Sequence, residues 1–361
     1  MDPLRACWLI LLLLLPARAL GQSTNFEIVQ LADGVYAAIR KDPPGFAVES
    51  NSVFIIGDDS VIVVDAQSNI GTTKATLAAL RRLTNKPVRY VVNTHWHDDH
   101  IVGNQVYRDA FPGVEFVAHT NVRPYLLTKG ASNRKQWHES GLSGFIEQLR
   151  GIVKSNRNSA GEPLTEEQRA SLLSDISLGE GYLTVPADFQ PVLPTMAVEN
   201  QLTLHQGQRL IEIRYLGRGH TSGDLIVYLP KEQIVAAGDL VVCPVPLIGG
   251  DQSHVGDWDA TLEKLRMLNP SVIVPGHGPV MHDDSYVQQL VRLMRSVKQQ
   301  TESAVARGET LEQVQKSVNL TELRKLFAGD SKVRNTLFSV YVVGPAVESA
   351  FHDACFEHRR C

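Results

Sequence analysis

The chain has 361 residues, of which 43% are hydrophobic and 20% charged, and a formal net charge of −4. These are the proportions of a globular protein, long enough for one large domain with additions or for two domains. The mild negative charge and the lack of a long basic run argue against a nucleic-acid partner.

The N-terminus departs from the rest. Arg5 precedes the apolar run Trp8 to Leu15, Pro16 breaks it, and Ala19-Leu20-Gly21 offers small residues at a cleavable spacing. This reads as a secretory signal peptide over residues 1–21, cleaved after Gly21. So short an apolar run does not span a bilayer, and no stable membrane anchor is expected once it is removed. The expected destination of the mature chain is the periplasm or the medium outside the cell. Cys7 leaves with the leader, and in an oxidising compartment Cys355 and Cys361 sit close enough in sequence to close a small disulfide loop. Cys243 is then unpaired, a buried apolar thiol in the preferred reading and a residue near the functional site in the other.

Strands are expected at Ser52 to Ile56 and Val61 to Val64, a hairpin turned by Gly57-Asp58-Asp59-Ser60. Asp65 ends the second strand, and Thr72 or Thr73 is the expected cap of a helix with Leu77, Leu80 and Leu83 at helical spacing. A strand from Val88 to Val92 leads into Thr94-His95-Trp96-His97-Asp98-Asp99-His100, a helix begins near His100, and Val114 to Ala118 returns to strand. From Asn121 to Pro194 the alternation stops: Leu142 to Val153 looks helical, and Thr165 with Gln168 forms a capping-box pattern. This is a helical insertion, either a lid over the site or a packing element.

Strands resume at Arg209 to Leu216, Leu225 to Leu229, Ile234 to Ala237 and Val272 to Val274, with a helix after Asp257. A long amphipathic helix from Asp284 to Gly308, a capping box at Thr310 and Gln313, and an apolar stretch from Val333 to Ala354 make a helical C-terminal extension over residues 284–361. The alternation implies an α/β arrangement in which loops at strand ends carry the chemistry.

Four side chains able to bind metal, His95, His97, Asp99 and His100, fall within six positions after one apolar run. A tight loop can fan them around metal where a regular strand or helix cannot, and imidazole with carboxylate suits zinc. The favoured arrangement turns His95 and His97 to one ion and Asp99 and His100 to a second, roughly 3.5–4 Å away across a shared water. Three later ligand types each follow an expected strand: His220 in Gly217-Arg218-Gly219-His220-Thr221, Asp239 in Ala237-Gly238-Asp239, and His277 in Val274-Pro275-Gly276-His277-Gly278. His119, His138, His205, His254, His282, His352 and His358 lack partners at ligand spacing and are taken as surface or core residues, His254 being the least settled. Trp96 is expected to pack.

In these motifs and their order the chain resembles the metallo-β-lactamase superfamily of metal-dependent hydrolases, over roughly Ala38 to His282. The resemblance implies a four-layer αββα sandwich over residues 22–283, with the helical insertion at about 121–195 and the metals at one edge between the sheets. It implies that His95, His97 and His220 bind a first ion and Asp99, His100 and His277 a second. Asp239 would bridge them, and Asp65 would hold the histidine loop through hydrogen bonds. The expected cofactors are two zinc ions per chain, with iron or manganese as the alternatives. The implied reaction on a small-molecule substrate is attack of a metal-bound hydroxide on a carbonyl, with Asp99 as the catalytic group that accepts or relays the proton.

Departures from better-known members bear on the substrate. Lactamases with a cysteine ligand have Cys where this chain has Asp239, and a second lactamase subclass lacks the bridging acid. Asp239 looks more like glyoxalase II, lactonase and related exported hydrolases, although the basic C-terminal glutathione-binding pattern of glyoxalase II is not evident. An ester, thioester or lactone is the expected substrate, with a β-lactam as the competitor. An iron-containing redox enzyme acting on oxygen or sulfur species is the alternative of another class. Substrate selection is expected from the loops after Asp65 and Asp239 and from the helical insertion.

Overall fold

In a computed structural model, which describes residues 25–358, the buried runs of the chain assemble into two sheets. The expected leader, the expected Cys361 partner and the His358 side chain lie outside the described residues. The first sheet holds β1 (Phe26–Ala32), β2 (Val35–Arg40), β3 (Ser52–Ile56), β4 (Val61–Val64), β5 (Val88–Val92), β6 (Glu115–His119) and β7 (Met196–Val198) in that spatial order. The second runs β12-β11-β10-β9-β8, from β8 (Gln201–Gln206), β9 (Arg209–Tyr215), β10 (Leu225–Leu229), β11 (Ile234–Val242) and β12 (Val272–His277). Hairpins make β1 to β4 and β8 to β11 antiparallel, whereas β4 to β7 and the β11–β12 pair are parallel.

Parallel neighbours need crossovers, and helices supply them. In chain order these begin with α1 (Ile70–Leu83), α2 (Asp98–Ile101) and α3 (Asn104–Ala110). Leu80, Tyr107 and Phe111 from these helices cover the outer face of the first sheet against Phe54, Val63 and Phe116. The inner faces meet through alternate residues such as Ile55, Ile62 and Val92 on one side and Ile211, Ile213 and Val227 on the other. Two helix layers thus enclose two sheets, the αββα order.

Between β6 and β7 the chain forms α4 (Val122–Tyr125), a π-helical turn Leu126–Gly130, α5 (Ala131–Gln136), a second π turn Trp137–Gly141, α6 (Leu142–Ser155) and α7 (Glu166–Leu183). The Thr165 and Gln168 capping box opens α7. After β11 come α8 (Val255–Met267) and, following β12, α9 (Ser285–Ala306). The C-terminal helices are α10 (Leu311–Ser317), opened by the Thr310 and Gln313 capping box, α11 (Thr321–Ala328), α12 (Lys332–Phe338), a π turn Ser339–Val343 and α13 (Gly344–His358). Val314, Phe327, Phe338 and Ala346 from this extension join Trp258, Leu262 and Leu290 in one core on the outer face of the second sheet. Among the described residues no helix is long and apolar enough to cross a membrane.

Several expectations need correction. The cap of α1 is Asn69, whose side chain accepts from Thr72 N at 2.9 Å, while Thr73 hydroxyl turns back to Asn69 O at 2.8 Å. Asn is a strong cap and reaches the first free N–H better than a threonine already inside the helix. β11 and β12 run on through Asp239 and His277 rather than stopping before them, with register breaks at Gly238 that re-aim the side chains. β1, β2, β7 and β8 are additional. Cys355 is disulfide-bonded, and its expected pairing with Cys361 falls outside the described residues. Cys243 is a free, half-buried cysteine.

Candidate metal centre

All seven candidate ligands named from sequence converge on the segment after β5, the register break inside β11, the end of β12 and the loop after β9. His97 Nδ1 lies 3.0 Å from His95 Nε2 and 2.9 Å from His220 Nε2, and His220 Nε2 lies 3.5 Å from Asp239 Oδ2. On the other side, His277 Nε2 is 3.2 Å from Asp99 Oδ2, and His100 Nε2 is 3.4 Å from the same oxygen. Asp239 faces both groups, with Oδ1 3.3 Å from His100 Nε2 and Oδ2 3.3 Å from His277 Nε2. For comparison, donors bonded at 2.0–2.1 Å around one tetrahedral zinc stand about 3.3 Å apart.

The outward nitrogens determine which atoms face inward. His220 Nδ1 donates to Leu247 O at 2.9 Å and His277 Nδ1 to Glu49 O at 3.1 Å. His100 Nδ1 donates to Asp65 Oδ2 at 2.8 Å. Thr94 hydroxyl gives its proton to Asp65 Oδ2 at 2.8 Å, so it accepts from His95 Nδ1 at 3.1 Å. His97, turned the other way, is held by the Gln252 side chain, which also accepts from Tyr125 Oη at 3.2 Å. Each imidazole therefore spends one nitrogen on the protein and presents the other inward.

Asp65 is the hub of this support. It sits at the end of β4 with φ +58°, a left-handed conformation that Asp tolerates, and also accepts from Thr94 N at 2.8 Å. Asp65→Asn keeps the backbone preference while removing the charge opposite His100. The expected result is a roughly 10- to 100-fold loss in metal affinity with the fold retained; unchanged metal content after dialysis would count against this role.

Electrostatics divides the histidines. Burial holds His95 well below the usual histidine range, with the neighbouring His100 and His97 adding to it, and burial takes His220 to about 3. Burial also lowers His97. These three are neutral and their inward lone pairs face one another, an arrangement that repels unless a cation draws them together. Burial opposes charge on His100 and His277 too, but Asp65, Asp99 and Asp239 outweigh it for His100, and Asp239 and Asp99 for His277, which is held at about 10. Burial disfavours the Asp99 and Asp239 carboxylates in turn, yet the same histidines keep both well below the usual carboxylate range.

Asp99 Oδ2, His100 Nε2, Asp239 Oδ1 and His277 Nε2 are buried and make no well-formed hydrogen bond, facing only one another at 3.2–3.4 Å. Buried polar atoms are costly to leave so, about 1–3 kcal/mol each. Their convergence, and the N and O donor set, fit divalent metal in two groups, His95, His97, His220 and Asp239 in one and Asp99, His100 and His277 in the other.

Two glycines permit this approach. Gly238 has φ +53°, and a Cβ there would stand 2.6 Å from the Thr94 side chain. At Gly276 a Cβ would lie 1.8 Å from Asp239 Oδ1. Both strands come this close only without side chains.

Other groups around the centre were not legible as site residues. Asp98, between two ligands, forms a forked ion pair with Arg134 of α5, with Nε 3.0 and 2.8 Å from its two oxygens, and accepts from Tyr182 of α7. Arg134 is 3% and Asp98 23% exposed, so the helical segment is clamped to the ligand loop by a partly buried charge pair. The unassigned acid in the ligand loop was the available signal. Asp224 accepts from Thr221 N at 2.8 Å and fixes the turn bearing His220; burial raises it to about 8. Trp96 packs, stacked on Tyr125 at 4.3 Å. His254 lies 3.3 Å from Asp353 and ties α8 to α13 rather than turning to the metal ligands. Trp137 and Tyr182 from the helical segment line clefts together with Asp98 and Asp99, so that segment borders the site.

A family model described as the metallo-beta-lactamase superfamily matches residues 45–277, more than half of the chain. The linear primary-alkylsulfatase of a Pseudomonas species is 24% identical over 275 residues, which cover 73% of this chain and 48% of that protein, so the match spans about half of that relative. Metallo-beta-lactamase type 2 of Bacillus cereus is 23% identical over 240 residues, 65% of this chain and 70% of that protein. The solved metallo-beta-lactamase from Pontibacter korlensis has a similar fold, with a TM-score of 0.50 at 18% identity over 75% of this chain and 99% of its own. With that match over more than half of its length and the seven clustered candidate ligands, the chain belongs to the metallo-β-lactamase superfamily of metal-dependent hydrolases.

Proposed function

We propose that the protein is an exported dinuclear zinc hydrolase acting on the carbonyl of a small ester, thioester or lactone. The observation that carries this reading is Asp239, whose two oxygens face His100, His220 and His277 at 3.3–3.5 Å and can span two ions. When bound, two zinc ions supply a shared water acidified towards neutrality and a Lewis acid for the carbonyl. His95, His97 and His220 hold one ion, and Asp99, His100 and His277 the other, with Asp239 between. Asp99, its side chain 17% exposed, reaches the cleft, where its carboxylate can take the proton released as the substrate is attacked. Trp137 and Tyr182 line the same cleft. Export rests on the Arg5 to Gly21 leader pattern and implies no lasting membrane anchor.

Asp239 in place of a cysteine ligand weighs against β-lactams, whereas the alkylsulfatase relative supports a second reading, hydrolysis of a sulfate monoester. Mature protein loaded with zinc and offered alkanoate esters, thioesters, lactones, an alkyl sulfate and nitrocefin tests both. Turnover of a carboxylic ester or lactone with two zinc ions per chain is the expected result. No turnover of any carbonyl substrate at full zinc occupancy would overturn the principal reading, and iron in the purified protein would favour the redox alternative.

A further inference from the structure

A cavity of 430 Å³ opens beside His277, a size suited to a small ligand. Its walls come from three parts of the chain distant in sequence: Pro43 and Pro44 after β2, Val245 and Leu247 after β11, and Leu337 of α12. The segment after β2 is gripped from two sides. Asp175 of α7 accepts from Ala47 N at 2.9 Å, and Tyr341 of the C-terminal π turn donates to Phe46 O at 2.7 Å. The cavity is therefore a built feature of the fold, shaped by the C-terminal extension as well as by the sheets.

Charges on its walls are mostly neutralised. Arg40 Nε lies 2.7 Å from Asp42, Lys41 Nζ lies 2.7 Å from Glu27, and Glu49 accepts from Ser68 N at 2.6 Å and Ser68 hydroxyl at 2.8 Å. Arg334 of α12 is different: among the described residues it has no carboxylate in ion-pair range. Arg334 is exposed at the rim of the cavity, and its guanidinium, without a carboxylate partner and beside apolar Val245, Leu247 and Leu337, matches a molecule with an acidic group on an apolar body.

We propose that this cavity is a substrate-binding pocket adjoining the cleft at Asp99, with Ala47 and Val48 on the wall of both, that Arg334 is its specificity-determining residue, and that the substrate is an amphiphilic anion carrying a carboxylate or sulfate group. This substrate class rests on the hydrolase reading above. It assigns the C-terminal extension a part in selecting the substrate.

The test uses zinc-loaded mature protein, with Arg334→Ala and Arg334→Lys as variants. A pair of 4-nitrophenyl esters of equal chain length, one ending in a free carboxylate and one in a methyl group, reports the preference for an anion. Arg334→Ala is expected to lower the ratio of kcat/KM for the anionic over the neutral ester by about tenfold, chiefly through KM, with Arg334→Lys recovering part of it. Calorimetry with octanoate, octyl sulfate and octanol gives a readout independent of turnover. Both anions should bind more tightly than octanol and weaken about tenfold in Arg334→Ala, the tighter of the two naming the acid.

Equal anion affinity in wild type and Arg334→Ala would place the acid on the metal ions and overturn the proposal. Anion binding through Arg334 without turnover of any ester or sulfate would keep the proposal's pocket and defeat the hydrolase reading. Turnover with a preference indifferent to Arg334 would do the reverse.

Discussion

Replacing His95 and His97 together by alanine is expected to remove bound metal and reduce turnover by at least about 10³-fold, since several kcal/mol of metal-supplied stabilisation is lost at about 1.4 kcal/mol per decade. The effect should be this large because His97 stands at the centre of the first group, with Nδ1 3.0 Å from His95 Nε2 and 2.9 Å from His220 Nε2. Only His220 and Asp239 would remain there, too few to fill a tetrahedral site. The fold should survive, because the hydrogen bonds from Thr94 and His100 to Asp65 do not involve either removed ring. Metal analysis by mass spectrometry and turnover of the best ester are the measurements; wild-type activity in a variant that folds and lacks metal would refute the assignment.

Removing metal from the wild type should make the centre take up protons. His277 is held at about 10 and His100 well above the ordinary histidine value, so in metal-free protein both are protonated at neutral pH. Binding needs both Nε2 lone pairs, and metal uptake must therefore release up to about two protons per chain from these rings. Apparent affinity rises with pH accordingly, by up to about 100-fold per unit while both stay protonated in the metal-free state.

Stability of the metal-free fold runs the opposite way. The contribution of His277 is complete below its unfolded value of about 6.5 and disappears as pH rises through about 10. Zinc at about 1,000 times its dissociation constant adds roughly 4 kcal/mol, so chelation should lower Tm by several degrees. A weakly buffered titration with a pH indicator measures the release, and zinc uptake without it would contradict the charge states described above.

The cluster of candidate metal ligands was legible because each residue lies in a short local pattern that a loop at a strand end requires. Asp65, His95, His97, Asp99, His100, His220, Asp239 and His277 all come together as their order implied. The seams of the fold were less accessible. β1 and β2 flank Asp33-Gly34, with Gly34 at φ +68°, a two-residue turn signal present in the sequence. β8 offers little contrast, its residues alternating between exposed and half-buried at the sheet edge.

The Asp98–Arg134 pair joins positions 36 residues apart, and no periodicity announces such a partner. The same holds for the cavity that brings residues 40, 243 and 334 to one place. Arg334 lies in a stretch whose apolar character signalled helix packing, which is correct for Val333 and Phe338 and silent about the side chain between them. Substrate selection was expected from the loops after Asp65 and Asp239 and from the helical segment, whereas the cavity draws as much on residues 39–49 and the C-terminal helices.

The close approach of β11 and β12 has an evolutionary consequence. Gly238 and Gly276 bear no side chain to offer a metal or substrate, yet even alanine at Gly276 would bring its Cβ within 1.8 Å of Asp239 Oδ1, and alanine at Gly238 would meet Thr94 at 2.6 Å in a left-handed backbone. Residues along α12 or the wall after β2 can be exchanged while the cluster of candidate ligands stays in place. At these two glycines drift is closed, and their mutational intolerance should rival that of the histidines although they carry no chemistry of their own.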